Sequence, residues 1–189
     1  MKLLFVDCCI SQRGKESRTL ALAKAYIDAF RAAHPDWEVE RADPMDLPPL
    51  TAEFLDDRDT RKGEFSAPMF AAARQFQSAD SIVVAAPYRD LSYPAQLKTY
   101  IEHISVNGLC YHYTEQGCQG DCKAEKLVYL TSGGDFEGED SVGVLHWKQL
   151  CKMFGIETFT YVFAGGMDID PVKTPELLAQ ACEKARSLV

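Results

Sequence analysis

The sequence predicts an α/β domain built on a doubly wound parallel sheet with helices on both faces. Short apolar runs of strand length alternate with longer segments in which apolar residues recur every three or four positions. The run at 81–86 is apolar at nearly every position, which is typical of a parallel strand covered on both sides. A length of 189 residues with 47% hydrophobic residues fits one domain, 1–189, with a substantial core.

The first half of the chain predicts three strands and two helices. The apolar run at 2–7 predicts a buried strand, and the helical periodicity of 17–33 predicts a helix that ends before Pro35. Alternating apolar and charged residues at 37–41 indicate an edge strand. A helix at 68–79 and a central strand at 81–86 follow.

A long excursion at 42–68 interrupts this alternation. It contains Pro44, Pro48, Pro49 and a charged run at 56–62. We predict a loop with one short helix near 52–55 and interpret the charged run as a solvated surface. A loop of this length in a compact domain is usually functional or mobile.

The second half predicts two more strands, at 126–131 and 158–164, and three helices, at 94–104, 140–154 and 174–189. Gly155 is expected to end the second of these helices, and Thr174 is expected to cap the last one ahead of Pro175. Strand-like residues around a glycine turn at 107–122 indicate a hairpin or an ordered flap.

Charge and cysteine content exclude several classes of protein. A net charge of −8, from 20 basic and 28 acidic residues, argues against nucleic-acid binding, which needs a basic face. No apolar run approaches the roughly 18 residues of a membrane span, and no secretory signal follows Lys2. Seven cysteines, an odd number, indicate free thiols in a reducing cytoplasm. Cys118 and Cys122 lack a second ligand pair for zinc, so no metal is predicted.

Three loops are predicted to meet at the ligand-binding edge, because such sheets bind ligands beyond the carboxyl ends of their strands. They are residues 8–17, 87–93 and 131–139. In the first, Ser17 is a candidate N-cap followed by Arg18 and Thr19, and helix amides with hydroxyls and a cation suit a phosphate. The alternative is an ordinary capped helix, which needs only Ser17. The loop matches neither the dinucleotide fingerprint nor the P-loop spacing.

Short motifs in collinear order then carry a family resemblance. Ala-Ala-Pro at 85–87 precedes an aromatic stretch and a helix with Gln-Leu-Lys at 96–98. Tyr-His-Tyr-Thr-Glu-Gln-Gly occupies 111–117, and Leu-Thr-Ser-Gly-Gly occupies 130–134. Together they resemble the flavodoxin-like NAD(P)H:quinone oxidoreductases, specifically the FMN-dependent NADH-azoreductases, over about the whole chain.

The resemblance implies a flavodoxin-like five-stranded sheet of order 2-1-3-4-5 that binds FMN non-covalently. It further implies ping-pong hydride transfer from NADH or NADPH, through the flavin, to quinones, azo compounds or related small-molecule acceptors. Family members are homodimers with the flavin at the subunit interface, so a homodimer is expected.

The resemblance also implies which residues contact the flavin. The predicted cofactor-binding set is Cys9, Ser17, Arg18, Thr19, Pro87, Tyr88, Arg89, Asp90, Leu91, Ser132, Gly133 and Gly134. Tyr113 would lie near the ring from the flap. Arg89 would stabilise negative charge on reduced flavin, although a solvated surface residue is an equal alternative. Cys9 stands where the family has serine, and Arg89 and Asp90 stand where it has an aromatic residue and an asparagine.

Two rival functions remain open from the residues. A flavodoxin-type electron carrier would share the fold without enzymatic activity, but the long first loop and the excursion favour an enzyme. A thiol-based redox sensor would use Cys8 and Cys9, or Cys118 and Cys122. Adjacent cysteines do not pair readily within strand geometry, so Cys8 and Cys9 are interpreted as separate thiols.

Overall fold

Five parallel strands form the main sheet of the computed structural model, which describes residues 1–9, 17–136, 138 and 140–189. They are β1 (Lys2–Asp7), β2 (Glu38–Ala42), β3 (Ser81–Ala85), β6 (Lys126–Ser132) and β7 (Thr158–Ala164). Their order is β2-β1-β3-β6-β7, with every neighbouring pair parallel. The predicted order 2-1-3-4-5 is therefore confirmed, since β4 (Tyr111–Thr114) and β5 (Gly117–Gly120) form a separate antiparallel pair.

Helices cover both faces of this sheet. They are α1 (Arg18–Ala33), α2 (Ala52–Thr60), α3 (Ala71–Ser78), α4 (Ala95–Ile104), α5 (Val142–Phe154) and α6 (Thr174–Arg186). Successive strand residues point to opposite faces, so Leu3 and Phe5 pack in the core beneath α1 and α6. Leu4 and Val6 pack in the core on the other face, with side chains of α3, α4 and α5. Both faces of β1 are thus buried, which explains its unbroken apolar sequence.

Two predicted helix ends are confirmed and one is wrong. The Oγ of Ser17 accepts a hydrogen bond from the Leu20 amide at 3.3 Å and caps α1. Gly155 ends α5 in the left-handed region, at φ = 78°. Thr174, predicted as a cap, is instead the first residue of α6, and the N-cap position belongs to Lys173. The Thr174 hydroxyl points back to the loop before α6 and donates to the carbonyl oxygen of Met167 at 2.9 Å.

The excursion contains more structure than the sequence indicates. A short 3-10 turn at Pro44–Asp46 precedes α2, which begins at the predicted position but continues through most of the charged run. No residue of α2 is buried. An ion pair between Asp57 and Arg61, at 2.8 Å, links successive turns of the helix. Most of the charged run therefore lies on an exposed helix.

The β4–β5 hairpin lies at the amino edge of the sheet. Tyr111 is opposite Gly120 and Thr114 is opposite Gly117. The α5 helix starts near the carboxyl end of β6 and runs back, and the hairpin packs against its last turn. The Cys122 amide donates to the Phe154 carbonyl at 3.2 Å. Among the described residues, no helix has the length and apolar character needed to span a membrane.

Candidate active site

A cleft of about 200 Å³ opens at the carboxyl edge of the sheet, where the loops after β1, β3 and β6 converge. This is the position where strand order reverses, at which ligands of such sheets bind. Its lining residues are Ser17, Arg18, Thr19, Pro87, Tyr88, Arg89, Ser132, Gly133, Gly134 and Asp168. All of them except Asp168 belong to the set predicted from the sequence. The rest of the predicted first loop, 10–16, lies outside the described residues.

A buried pair of hydroxyls joins two walls of the cleft. The Oγ1 of Thr19 lies 2.7 Å from the Oγ of Ser132, and both residues are buried. Tyr88 closes the third wall, because its amide donates to the Ser132 carbonyl at 2.9 Å. The start of α1, the loop after β3 and the end of β6 are thereby held in one arrangement before any ligand binds.

Two glycines allow backbone to pass close to neighbouring groups at the floor of the cleft. A Cβ added to Gly133 would lie 2.9 Å from the Phe163 ring, and one added to Gly134 would lie 2.5 Å from a carboxylate oxygen of Asp168. The amide of Gly133 donates to the Ala164 carbonyl at 3.0 Å. Glycine lets the backbone at Gly133 lie against the Phe163 and Tyr88 rings, whereas at Gly134 the exposed Asp168 side chain would have to turn aside to admit a Cβ.

Asp168 is the lining residue that sequence reasoning missed. Its carboxylate pairs with the Arg18 guanidinium at 2.7 Å, although the two residues are 150 positions apart. Asp168 follows β7, whose carboxyl end lies at the same edge of the sheet as the other three loops. The rule that ligands bind beyond strand ends pointed to this loop as well, but no motif distinguished it.

Three predicted contacts lie outside the described lining of the cleft. The amide of Cys9 donates to the Asp7 carboxylate at 3.0 Å, and its half-buried side chain faces β3. Asp90 and Leu91 form the centre of a tight turn at the mouth of the cleft, with φ values of 50° and 62°. Left-handed conformations in residues other than glycine cost about 1–3 kcal/mol each. These three residues remain predictions as flavin contacts.

Comparisons with known proteins agree with this geometry. A family model described as having a flavodoxin-like fold matches residues 1–189. The chain belongs to the flavodoxin-like family.

Relatives of this flavodoxin-like protein share its length. It is 31% identical over 191 residues to the FMN-dependent NADH:quinone oxidoreductase of Clostridium beijerinckii, covering 98% of this chain and 96% of the relative. It is 32% identical over 182 residues to FMN-dependent NADH:quinone oxidoreductase 5 of Pseudomonas fluorescens, covering 88% and 87%. The solved azoreductase from Bacillus anthracis superposes with a TM-score of 0.86 at 24% identity, over 100% of this chain and 98% of that one, and supports the fold.

Tyr113 does not line this cleft in the same chain. It lies on β4, within the hairpin that packs against the last turn of α5 at the amino edge of the sheet. Its side chain is 68% exposed. The flavodoxin-like chain therefore presents Tyr113 on its surface, outside the described lining of its own cleft.

Cys8 and Cys9, which follow β1 near the cleft, and Cys122, which follows the β4–β5 hairpin, are poor nucleophiles. Burial and the neighbouring Asp7 carboxylate raise the pKa of Cys8 to about 12. The same two causes raise the pKa of Cys9 well above its ordinary range. A hydrogen bond with Cys110, together with burial, raises the pKa of Cys122. Because the thiolate is the reactive form, these thiols do not suit a redox sensor.

We expect thiol labelling of the folded protein to select Cys118. This residue is exposed, whereas a thiol with a pKa of about 12 is ionised to only about one part in ten thousand at pH 8. An aromatic disulfide reagent with peptide mapping should modify Cys118 at least about tenfold faster than Cys8 or Cys9. The Cys118→Ser variant should lose the fast phase. Equal rates for Cys8 and Cys118 would contradict the burial of Cys8.

Proposed function

We propose that this protein is an FMN-dependent NADH:quinone oxidoreductase that also reduces azo compounds or related acceptors. The observation that carries the proposal is the convergence of three motif-bearing loops on one cleft at the switch point of the sheet. Full-length relatives named FMN-dependent NADH:quinone oxidoreductase support the same activity.

The start of α1 fits the phosphate of FMN. A helix of 16 residues directs its unpaired amides and the positive end of its dipole at the cleft. Ser17 and Thr19 bring hydroxyls to this end, and Arg18 brings the guanidinium. Because Arg18 is paired with Asp168, the amides and hydroxyls of this helix end would hold the phosphate without net positive charge, which agrees with the net charge of −8.

The loops after β3 and β6 fit the flavin ring. Gly133 and Gly134 leave a floor without side chains, and Tyr88 is held beside it by the Ser132 carbonyl. When bound, FMN would supply the hydride chemistry, accepting reducing equivalents from NADH and delivering them to the acceptor. Arg89 lines the same cleft, where its cation would stabilise negative charge on the reduced ring. No side-chain base is required of this chain.

We further propose that the enzyme acts as a homodimer in which each hairpin reaches the partner's cleft. Tyr113 is exposed and lies outside the described lining of its own cleft, and a second copy would bring it to a flavin. The exposed surface of α5 supports this assembly, since Val142 is 55% and Leu145 is 44% exposed. The seven free cysteines are in keeping with a reducing cytoplasm as the place of action.

Titration with FMN followed by anaerobic reduction tests the activity. The purified protein should bind FMN, NADH should bleach its visible absorbance, and a quinone should restore it. NADPH in a parallel cuvette measures the preference for the reductant. Absence of FMN binding would refute the proposal. Bound FMN that neither nicotinamide bleaches would instead identify an electron carrier. Sedimentation at twice 21.1 kDa would support the dimer.

A further inference from the structure

A groove of about 380 Å³ lies between α1 and the edge strand β2. We call it the α1–β2 groove. Its described lining consists of five apolar residues, Phe5, Leu20, Ala23, Ile27 and Val39, and four charged residues, Lys24, Asp28, Arg31 and Arg41. None of these residues belongs to the described lining of the cleft, and the proposed flavin chemistry uses none of them. The volume of the groove lies in the roughly 300–1,000 Å³ range typical of small-molecule sites.

The apolar part of the groove is elongated. Its lining along α1 extends from Leu20 to Arg31, which corresponds to about 16 Å of helix at a rise of roughly 1.5 Å per residue. Ile27 is buried, whereas Leu20 and Val39 are half-buried and leave apolar surface in contact with solvent. Covering such surface with an aliphatic group is favourable. An extended chain fits a groove of this shape better than a compact ring system.

The charged residues of the groove leave cations unneutralised. Lys24 and Arg31 are exposed, and neither forms an ion pair with a described carboxylate. Arg41 pairs with Asp7 at 2.9 Å, yet its side chain is 58% exposed. Asp28 is the one carboxylate in the described lining. The groove is therefore basic in a protein whose net charge is −8.

Alternation along β2 explains why the groove is basic. Val39 and Arg41 face α1, because successive strand residues point to opposite faces of the sheet. Glu38 and Glu40 therefore point to the other face, where Glu40 pairs with Lys2 at 2.7 Å. The acidic side chains of the edge strand are directed away from the groove, and an anion in it would not meet them.

We propose that the α1–β2 groove binds an amphipathic carboxylate with an elongated aliphatic chain, of the size of a medium-chain fatty acid. The start of α1 and the end of β2 both lie toward the carboxyl edge of the sheet, so Lys24 and Arg41 lie toward the same end of the groove. The ligand's carboxylate is placed there, and its chain runs along the apolar lining toward Arg31. Asp28 is one turn beyond Lys24, where it opposes the anion and limits its affinity.

Calorimetric titration with decanoate and decanol, below their aggregation limits, tests the site. The two ligands share the same chain, but only decanoate carries the charge. We expect decanoate to bind about fivefold more tightly than decanol, because exposed charge pairs contribute up to about that factor. Titrations with and without FMN should agree, since the groove and the cleft share no described lining residue. Methyl NMR shifts of Leu20, Ile27 and Val39 should locate the chain.

Variants of the charged residues separate this site from nonspecific adsorption. Lys24→Gln should weaken decanoate about fivefold and leave decanol unchanged. Asp28→Asn should strengthen decanoate about threefold, a gain that damage to the fold would not produce. Lys62→Gln makes the same change as Lys24→Gln at an exposed lysine outside the described lining and should have no effect. Val39→Trp fills the groove with a residue that strands accept and should weaken both ligands.

Three results would each overturn the inference. The first is the absence of saturable decanoate binding to the wild-type protein. The second is equal affinity for decanoate and decanol, which would indicate adsorption to an apolar surface without recognition of the carboxylate. The third is an equal decanoate affinity in the Lys24→Gln and Lys62→Gln variants, or methyl shifts confined to residues outside the groove. The proposed flavin function is unaffected by any of them, because FMN binding and its reduction by NADH are measured separately.

Discussion

Replacing Ser17 with aspartate is expected to raise the dissociation constant for FMN about a thousandfold while the fold stays intact. Aspartate caps helices as well as serine does, so α1 keeps its start. The new carboxylate would lie at the helix end proposed for the phosphate. Two like charges about 4 Å apart repel by roughly 4 kcal/mol at an effective dielectric constant of 20, and each 1.4 kcal/mol is a factor of ten. Quenching of flavin fluorescence measures the change.

Riboflavin and a second helix cap provide the controls for this prediction. Riboflavin lacks the phosphate, so its affinity should fall far less than that of FMN in the same variant. Thr51→Asp introduces the same charge at the exposed cap of α2, where the Thr51 hydroxyl accepts from the Phe54 amide at 3.2 Å. That variant should bind FMN as the wild type does. Equal losses for FMN and riboflavin would place the phosphate elsewhere.

Replacing Gly120 with alanine is expected to lower the free energy of unfolding by about 3 kcal/mol. The added Cβ would lie 2.0 Å from the Phe154 carbonyl carbon and 2.0 Å from the Gly155 amide nitrogen. Both are backbone atoms at the end of α5, so neither can rotate away. The β4–β5 hairpin must move off the helix or the helix end must deform. Urea unfolding at fixed protein concentration measures the loss.

Gly138→Ala is the matched control for this loss of stability. A Cβ at Gly138 would meet nothing within 4 Å, and the residue is exposed. Its unfolding midpoint should therefore stay close to that of the wild type. A Gly120→Ala variant as stable as Gly138→Ala would show that the hairpin does not pack against α5 as described.

The strands and main helices could be predicted from the sequence because their signals are local. The apolar run of β1 and the cap at Ser17 lie within a few residues of the features they specify. The prediction for α2 was too short because the charged run lacks the apolar periodicity that indicates a helix. The Thr174 prediction was wrong because the same side chain can cap a helix or bond back to a preceding loop.

The positions of the cleft loops also followed from the sequence, since parallel strands place their carboxyl ends at one edge. The side-chain pairs that shape the site could not be predicted from the sequence. Arg18 meets Asp168 across 150 positions, and Thr19 meets Ser132 across 113. Such pairs depend on how α1 packs over the sheet beside the end of β6 and the loop after β7.

The amino-acid pattern therefore determines the strands, the α1 cap and the edge where a ligand binds, because each arises from neighbours in the chain. Tertiary packing decides which side chains close that edge and packs the β4–β5 hairpin, which carries Tyr113, against the last turn of α5. These outcomes depend on the distances between elements, which side-chain volumes across the whole core determine together. No local pattern encodes them.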